Sequence, residues 1–220
     1  MIVKICGHTN PADAVASVAA GADWLGFVFY PKSKRHLPIA DARQWLDRLP
    51  VGARRVGVFV DEAEKTVREL LAARLIDIAQ LHGAESPEFC RALVDEFGAD
   101  RVVKAVRVAG PESLEEIDRY DLPVLLLDGP EPGSGRIFDW SLAAEAVNRH
   151  PGKSFLLAGG LTPANVAASL AKVKPWGVDT ASGVESAPGV KDPAKVAAFI
   201  AAVRAPGVVP DEGLRADGLG

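Results

Sequence analysis

Short runs of apolar, often β-branched residues recur along the whole chain, and between them apolar residues return at helical spacing. The runs are IVKIC (2–6), WLGFVF (24–29), RRVGVFV (54–60), IDIAQL (76–81), RVVKAV (101–106), PVLLLD (123–128), SFLLAG (154–159) and WGVDTA (176–181). Most are nearly continuous in apolar residues, as expected of strands covered on both faces in a parallel sheet. Ala42, Trp45, Leu46 and Leu49 follow i, i+3, i+4, i+7 spacing, and so do Val196, Phe199, Ile200 and Val203. Val67, Leu70 and Leu71 behave alike, as do Phe89, Leu93 and Phe97, so each set predicts an amphipathic helix. Asn10-Pro11, Ser86-Pro87 and Thr162-Pro163 place a capping residue before a first-turn proline, and Gly21, Gly52 and Gly98 fall where helices should stop.

Eight strand runs separated by helices in one chain of 220 residues predict a TIM-type (β/α)8 barrel. The alternative, an open doubly wound sheet, usually carries G-x-G-x-x-G after its first strand, and CGHTNP is not that motif. An apolar content of 48% supplies one sizeable core. The barrel domain is expected over 1–204. The last stretch, APGVVPDEGLRADGLG (205–220), lacks periodicity and reads as a flexible tail.

Charge narrows the partners. Twenty-five Lys and Arg nearly balance 29 Asp and Glu, for a net charge of -4, with no long single-sign block. A nucleic-acid binder would need a basic stripe to displace counterions, so none is expected. A small anionic ligand needs only a local positive site. The chain opens without a basic segment leading into a long apolar run, and no stretch approaches the roughly 18 apolar residues of a membrane helix. The expectation is a soluble, cytoplasmic protein with no membrane partner, where thiols stay reduced. The two cysteines, Cys6 and Cys90, are then an improbable disulfide. His8, His36, His82 and His150 are scattered without ligand spacing, so no metal site is expected. Cys6 is left as core filler or working thiol.

In such barrels the chemistry sits at the C-terminal ends of the strands. Cys6 ends the first. Asp128 closes VLLLD, where a charge cannot stay in the barrel wall without a partner, so it either caps the next loop or acts as an acid or base. Gln80 and His82 end the fourth run in QLHG, and Arg35 lies in the basic loop PKSKRHL, where it is either solvated or able to clamp a carboxylate. The loop GPEPGSGRIFDW (129–140), with Gly133 and Gly135, is either a plain connection or a lid over substrate. LAGGLTPANV offers Gly159 and Gly160, and DTASGVE offers Asp179, Ser182 and Gly183. Two small-residue turns after strands seven and eight are where many barrels bind phosphate through backbone N–H groups.

Taken together, VKICGHTNPADA, GFVFYPKSKRHL, VGVFV, QLHG, VLLLD, GSGRIFDW, LAGGLTPANV and GVDTASGVE followed by PGVKD resemble the phosphoribosylanthranilate isomerases of tryptophan biosynthesis. The strings stand in family order from residue 3 to about 192. The resemblance implies an Amadori rearrangement of N-(5-phosphoribosyl)anthranilate, without cofactor or metal, by a monomer or homodimer. It places the general base on Cys6 and the general acid on Asp128, and it sets Arg35 near the anthranilate carboxylate. Phosphate would lie on Gly159-Gly160 and Ser182-Gly183, under a lid carrying Gly133 and Gly135, with Gln80, His82 and Asp179 contacting substrate. Pro132 stands where the family's lid has a further glycine, and Thr180 and Ala181 replace a β-branched apolar residue and a serine. The histidine-pathway sugar isomerase barrel does the same chemistry with two aspartates, whereas position 6 here is a cysteine. Indole-glycerol-phosphate synthase needs a lysine at the barrel mouth, and Lys104 lies inside its strand pattern. A non-catalytic phosphate-binding barrel would not need Cys6 together with Asp128.

Overall fold

The computed structural model describes residues 1–129 and 139–205. Eight parallel strands close on one another in chain order: β1 (Ile2–Cys6), β2 (Trp24–Val28), β3 (Arg54–Phe59), β4 (Ile78–Leu81), β5 (Val102–Arg107), β6 (Val124–Asp128), β7 (Ser154–Leu157) and β8 (Gly177–Thr180). Each of the eight predicted runs matches one of them, with β5 reaching one residue past its run to Arg107. Closure is made by β1 against β8, with Lys4 in register with Asp179. A right-twisted parallel ladder needs a crossover at every step, and the helices supply it on the outside. They are α1 (Pro11–Ala19), α2 (Ile39–Ala42), α3 (Glu64–Ala72), α4 (Pro87–Phe97), α5 (Glu112–Asp118), α6 (Trp140–Arg149), α7 (Val166–Val173) and α8 (Pro193–Arg204). A small hairpin of β9 (Glu185–Ala187) and β10 (Val190–Lys191) precedes α8.

Alternation along each strand divides the core in two. Outward residues such as Val3, Ile5, Leu25, Phe27, Leu125 and Phe155 pack under the helices. Inward residues Trp24, Val56, Ile78, Val103, Leu126 and Leu156 fill the barrel as a second cluster. Burying each such side chain contributes about 1.5–3 kcal/mol, and this plug gives the site above it a rigid floor.

Two helix expectations change. The 42–49 pattern is not one helix: α2 stops at Ala42, and a 3-10 turn covers Leu46–Arg48. Trp45 leaves helical geometry at φ -149 and sets its ring edge-on against Phe27, 5.7 Å between centroids. Packing of one large ring overrides the local periodicity. Thr162-Pro163 does not open a helix either. It forms a turn held by Asn165, whose side chain accepts from the Thr162 N–H at 2.8 Å, and α7 begins at Val166. Asn10 and Ser86 cap α1 and α4 as expected. The loop glycines Gly133 and Gly135, and all of the proposed tail beyond Ala205, lie outside the described residues.

Candidate active site

A cavity of about 530 Å³ opens over the C-terminal ends of the strands. That is the size of a small-ligand site. Cys6, Arg35, Gln80, His82, Asp128, Gly159, Gly160, Asp179 and Ser182, predicted separately from strand ends and loops, all line it. Of the predicted residues that are described, only Gly183 is not on its wall.

Cys6 is the last residue of β1 and faces inward, 8% exposed. Gly26 of β2 stands opposite in register, and a Cβ there would lie 2.5 Å from the Cys6 sulfur. The glycine therefore makes the space the thiol occupies. Gly7, at φ +82, turns the chain away and lets the Arg35 side chain cross where a Cβ would clash with it. Two residues below Cys6 on the same inward face is Lys4, fully buried, its ammonium 2.9 Å from Asp179 Oδ2. The sequence signal was present, since Lys4 interrupts an apolar strand. Its partner lies 175 residues away.

Burial pushes the Cys6 thiol above its ordinary pKa. The Lys4 ammonium opposes that rise, Asp179 adds to it, and Lys191 opposes it. Burial also pulls on Lys4, but Asp179 and Cys6 hold its pKa above the usual value. His8, just past the strand end, is driven by burial and by Lys191 down to about 3, so it is neutral. It bonds Ser17 through Nε2 at 2.9 Å.

Arg35 does reach the cavity, but it is not a free clamp. Its Nε and Nη2 donate to the two oxygens of Glu185, each at 2.8 Å. Lys191 donates at 2.9 Å to Glu185 Oε1, the oxygen that also accepts from Arg35 Nε, and donates as well to the Cys6 carbonyl. Burial works against the Glu185 carboxylate, yet Arg35 and Lys191 hold its pKa below the ordinary range. Among the described residues nothing accepts from Nη1 or the second Nη2 hydrogen, which leaves an end-on edge for a carboxylate rather than the side-on one. Neither Glu185 nor Lys191 was singled out from sequence. Both sit in the β9–β10 hairpin, and only a pair of charges around a Pro-Gly turn marked them.

Across the cavity Asp128 ends β6, 6% exposed. Its Oδ1 accepts from the Gly129 N–H at 2.8 Å, and its Oδ2 lies 3.3 Å from His82 Nε2. His82 Nδ1 lies 3.0 Å from the Gln80 amide nitrogen. Gln80 and His82 thus form a row of polar contacts on the cavity wall that ends at Asp128. Lys104 points outward, donating to the carbonyls of Leu81, Gly83 and Ala105, with Glu85 at 3.3 Å. It cannot serve the mouth.

The turns after β7 and β8 meet at one corner. Gly159 and Gly160 both have positive φ, at 85° and 69°, and neither N–H donates to an acceptor among the described residues. Thr180 donates to the Leu161 carbonyl at 2.7 Å. Gly183 packs against that same carbonyl so tightly that a Cβ would clash with it. Its absence of a side chain is what joins the two turns. Among the described residues, no group of three or more His, Cys, Asp or Glu side chains could hold a metal ion, and no helix is long and apolar enough to cross a membrane.

The comparisons with known proteins agree with one another. The family model for N-(5'-phosphoribosyl)anthranilate isomerase matches residues 3–202. The isomerase of that name from Trichlorobacter lovleyi is 45% identical over 202 residues, covering 90% of this chain and 95% of that protein. A solved phosphoribosyl anthranilate isomerase, in complex with reduced 1-(o-carboxyphenylamino)-1-deoxyribulose 5-phosphate, superimposes with a TM-score of 0.80 at 39% identity, covering 91% of this chain and 97% of that one. The structure of monomers generated from the dimeric Thermotoga maritima isomerase gives 0.80 at 40% identity, covering 92% and 98%.

Proposed function

The chain belongs to the N-(5'-phosphoribosyl)anthranilate isomerase family, and we propose that it turns N-(5-phosphoribosyl)anthranilate into 1-(2-carboxyphenylamino)-1-deoxyribulose 5-phosphate in tryptophan biosynthesis, with Asp128 as general acid and Cys6 as general base. One observation carries this reading. A thiol on β1 and a carboxyl on β6 face the same cavity, whose corner holds the open glycine turns of β7 and β8.

Phosphate binds at Gly159, Gly160 and Ser182, with Gly183 holding the turns together. The end-on edge of Arg35 takes the anthranilate carboxylate, and Asp179, on the cavity wall, contacts the substrate. Asp128 protonates the furanose ring oxygen, and the C1′–O bond breaks to give an iminium. That cation acidifies the C2′ proton, which Cys6 removes as thiolate, and the enolamine tautomerises to the ketone. Only protons move, so the reaction calls for no cofactor. Each positioned transfer contributes about 10²–10⁴ in rate. The catalytic unit is the barrel over 1–204, acting in the cytoplasm. All groups invoked come from one chain, so the reaction is the same in a monomer or a homodimer.

The test is turnover by the purified protein, followed as loss of anthranilate-adduct fluorescence. Cys6→Ala and Asp128→Asn should each lose at least about 10²-fold in kcat while still binding a phosphate-bearing product analogue. Full activity in Cys6→Ala overturns the assignment of the base.

A further inference from the structure

The buried charges around Cys6 do not balance. Lys4 on β1, Lys191 on β10 and Arg35 from the loop after β2 are cations, and each is electrostatically coupled to Cys6. Among the described residues, two anions pair with them. Asp179 on β8 pairs with Lys4, and Glu185 on β9 is shared by Arg35 and Lys191. His8, beyond the end of β1, is neutral. The remaining ionisable groups on the described cavity wall are Tyr30, Lys32 and Lys34 in the loop that carries Arg35, and, across the mouth, His82 just after β4, Arg107 at the end of β5 and Asp128 at the end of β6. Three cations against two anions leave a net charge of +1 in this set around the thiol. A carboxylate in the place of Cys6 would cancel it permanently, and a thiol can cancel it on demand by losing its proton.

Lys4 is the member best placed to matter. It is fully buried, it shares the inward face of β1 with Cys6, and Asp179 fixes its ammonium at 2.9 Å. Among the described residues, Asp179 is the one hydrogen-bond partner of this lysine in a strand that otherwise reads as apolar wall. We propose that Lys4 is a positioning residue of this enzyme: its ammonium, locked by Asp179, is the counter-charge that allows Cys6 to form a thiolate inside the barrel. The inference rests on Cys6 being the base. It makes a prediction that a purely structural ion pair does not. Removing the two partners of one salt bridge should shift the thiol in opposite directions, because one is a cation and the other an anion.

The experiment follows the rate of Cys6 alkylation by iodoacetamide against pH, without substrate, in protein carrying Cys90→Ala to silence the second thiol. In Lys4→Met the thiolate is disfavoured, so alkylation at pH 7.5 should slow at least tenfold and its pH midpoint rise. In Asp179→Asn alkylation should be several-fold faster and the midpoint lower. The Lys4→Met/Asp179→Asn double variant restores the wild-type charge count and should fall between them. If both single variants shift the same way, or neither shifts, the proposal is overturned. If Lys4→Met does not fold, the Asp179→Asn arm decides by its sign. Because the readout is thiol ionisation, it is separate from turnover. An active Cys6→Ala enzyme would refute the base assignment and leave the alkylation result standing.

Discussion

Gly26 faces Cys6 across the β1–β2 ladder, and the sulfur fills the volume that any side chain at position 26 would need. The smallest substitution therefore acts directly on the proposed base. Gly26→Ala should reduce kcat at least tenfold by turning the thiol out of its rotamer, with KM little changed. Overpacking a core position costs about 1–3 kcal/mol. At this chain size that is about 2–4 °C in Tm per kcal/mol. Steady-state kinetics beside a thermal melt separate the two effects, and wild-type kcat in Gly26→Ala would show that the sulfur has room elsewhere.

Glu185 orients Arg35 and is held in turn by Lys191. Glu185→Gln should leave kcat within a few-fold and raise KM about tenfold, the loss expected when a carboxylate clamp is no longer held in place, equivalent to about 1.4 kcal/mol. It also has a pH signature. The folded-state pKa of Glu185 is depressed, so its stabilising contribution is present above its unfolded pKa and is lost as pH falls through the folded one. The urea midpoint gap between wild type and Glu185→Gln should be widest near pH 7 and should narrow below about pH 4. A gap that widens in acid would contradict this assignment.

Gly183 joins the two phosphate turns by lying against the Leu161 carbonyl. In Gly183→Ala the turns must part. KM for the phosphorylated substrate should rise more than tenfold, competition by inorganic phosphate should weaken in step, and Tm should fall by several degrees. An unchanged inhibition constant for phosphate would move the anion site elsewhere on the rim.

Lys104 is the contrasting buried lysine. It faces the helix layer, under Tyr120, and satisfies three carbonyls and Glu85. Lys104→Met leaves Glu85 without its charge partner, a change that typically costs about 3–5 kcal/mol. Stability to urea should fall by that order, while kcat per folded molecule stays within about threefold and the pH dependence of turnover does not move. A shifted pH profile would place Lys104 in the electrostatics of the mouth.

The elements were legible because both signals are local. Strand runs such as VLLLD and helix faces such as Val196–Phe199–Ile200–Val203 require only burial on the expected sides, and each of those four side chains is buried. Of the exceptions, Trp45 is a place where a distant ring contact, with Phe27, accompanies the break, and Thr162-Pro163 is one where the Asn165 side chain three residues on holds a turn in place of a helix start. Cys6 and Asp128 were readable because a polar residue closing an apolar run has few structural explanations. Arg35 was readable as a basic residue at the mouth. Its side-on edge is nonetheless committed to a glutamate 150 residues away, and no local pattern carries that.

By itself, then, the sequence determined the eight-fold alternation, the strand ends and the residue types standing on them, since these depend on spacing and solvation within a few residues. Only the tertiary structure decided which of them meet. Closing β1 against β8 placed Lys4 beside Asp179, and the β9–β10 hairpin folding over the rim gave Arg35 and Lys191 a common carboxylate. Those pairings follow from barrel closure and register, which are properties of the whole sheet. They are also what sets the charge around Cys6, because Coulomb interactions in a dry interior depend on separation in space and not along the chain.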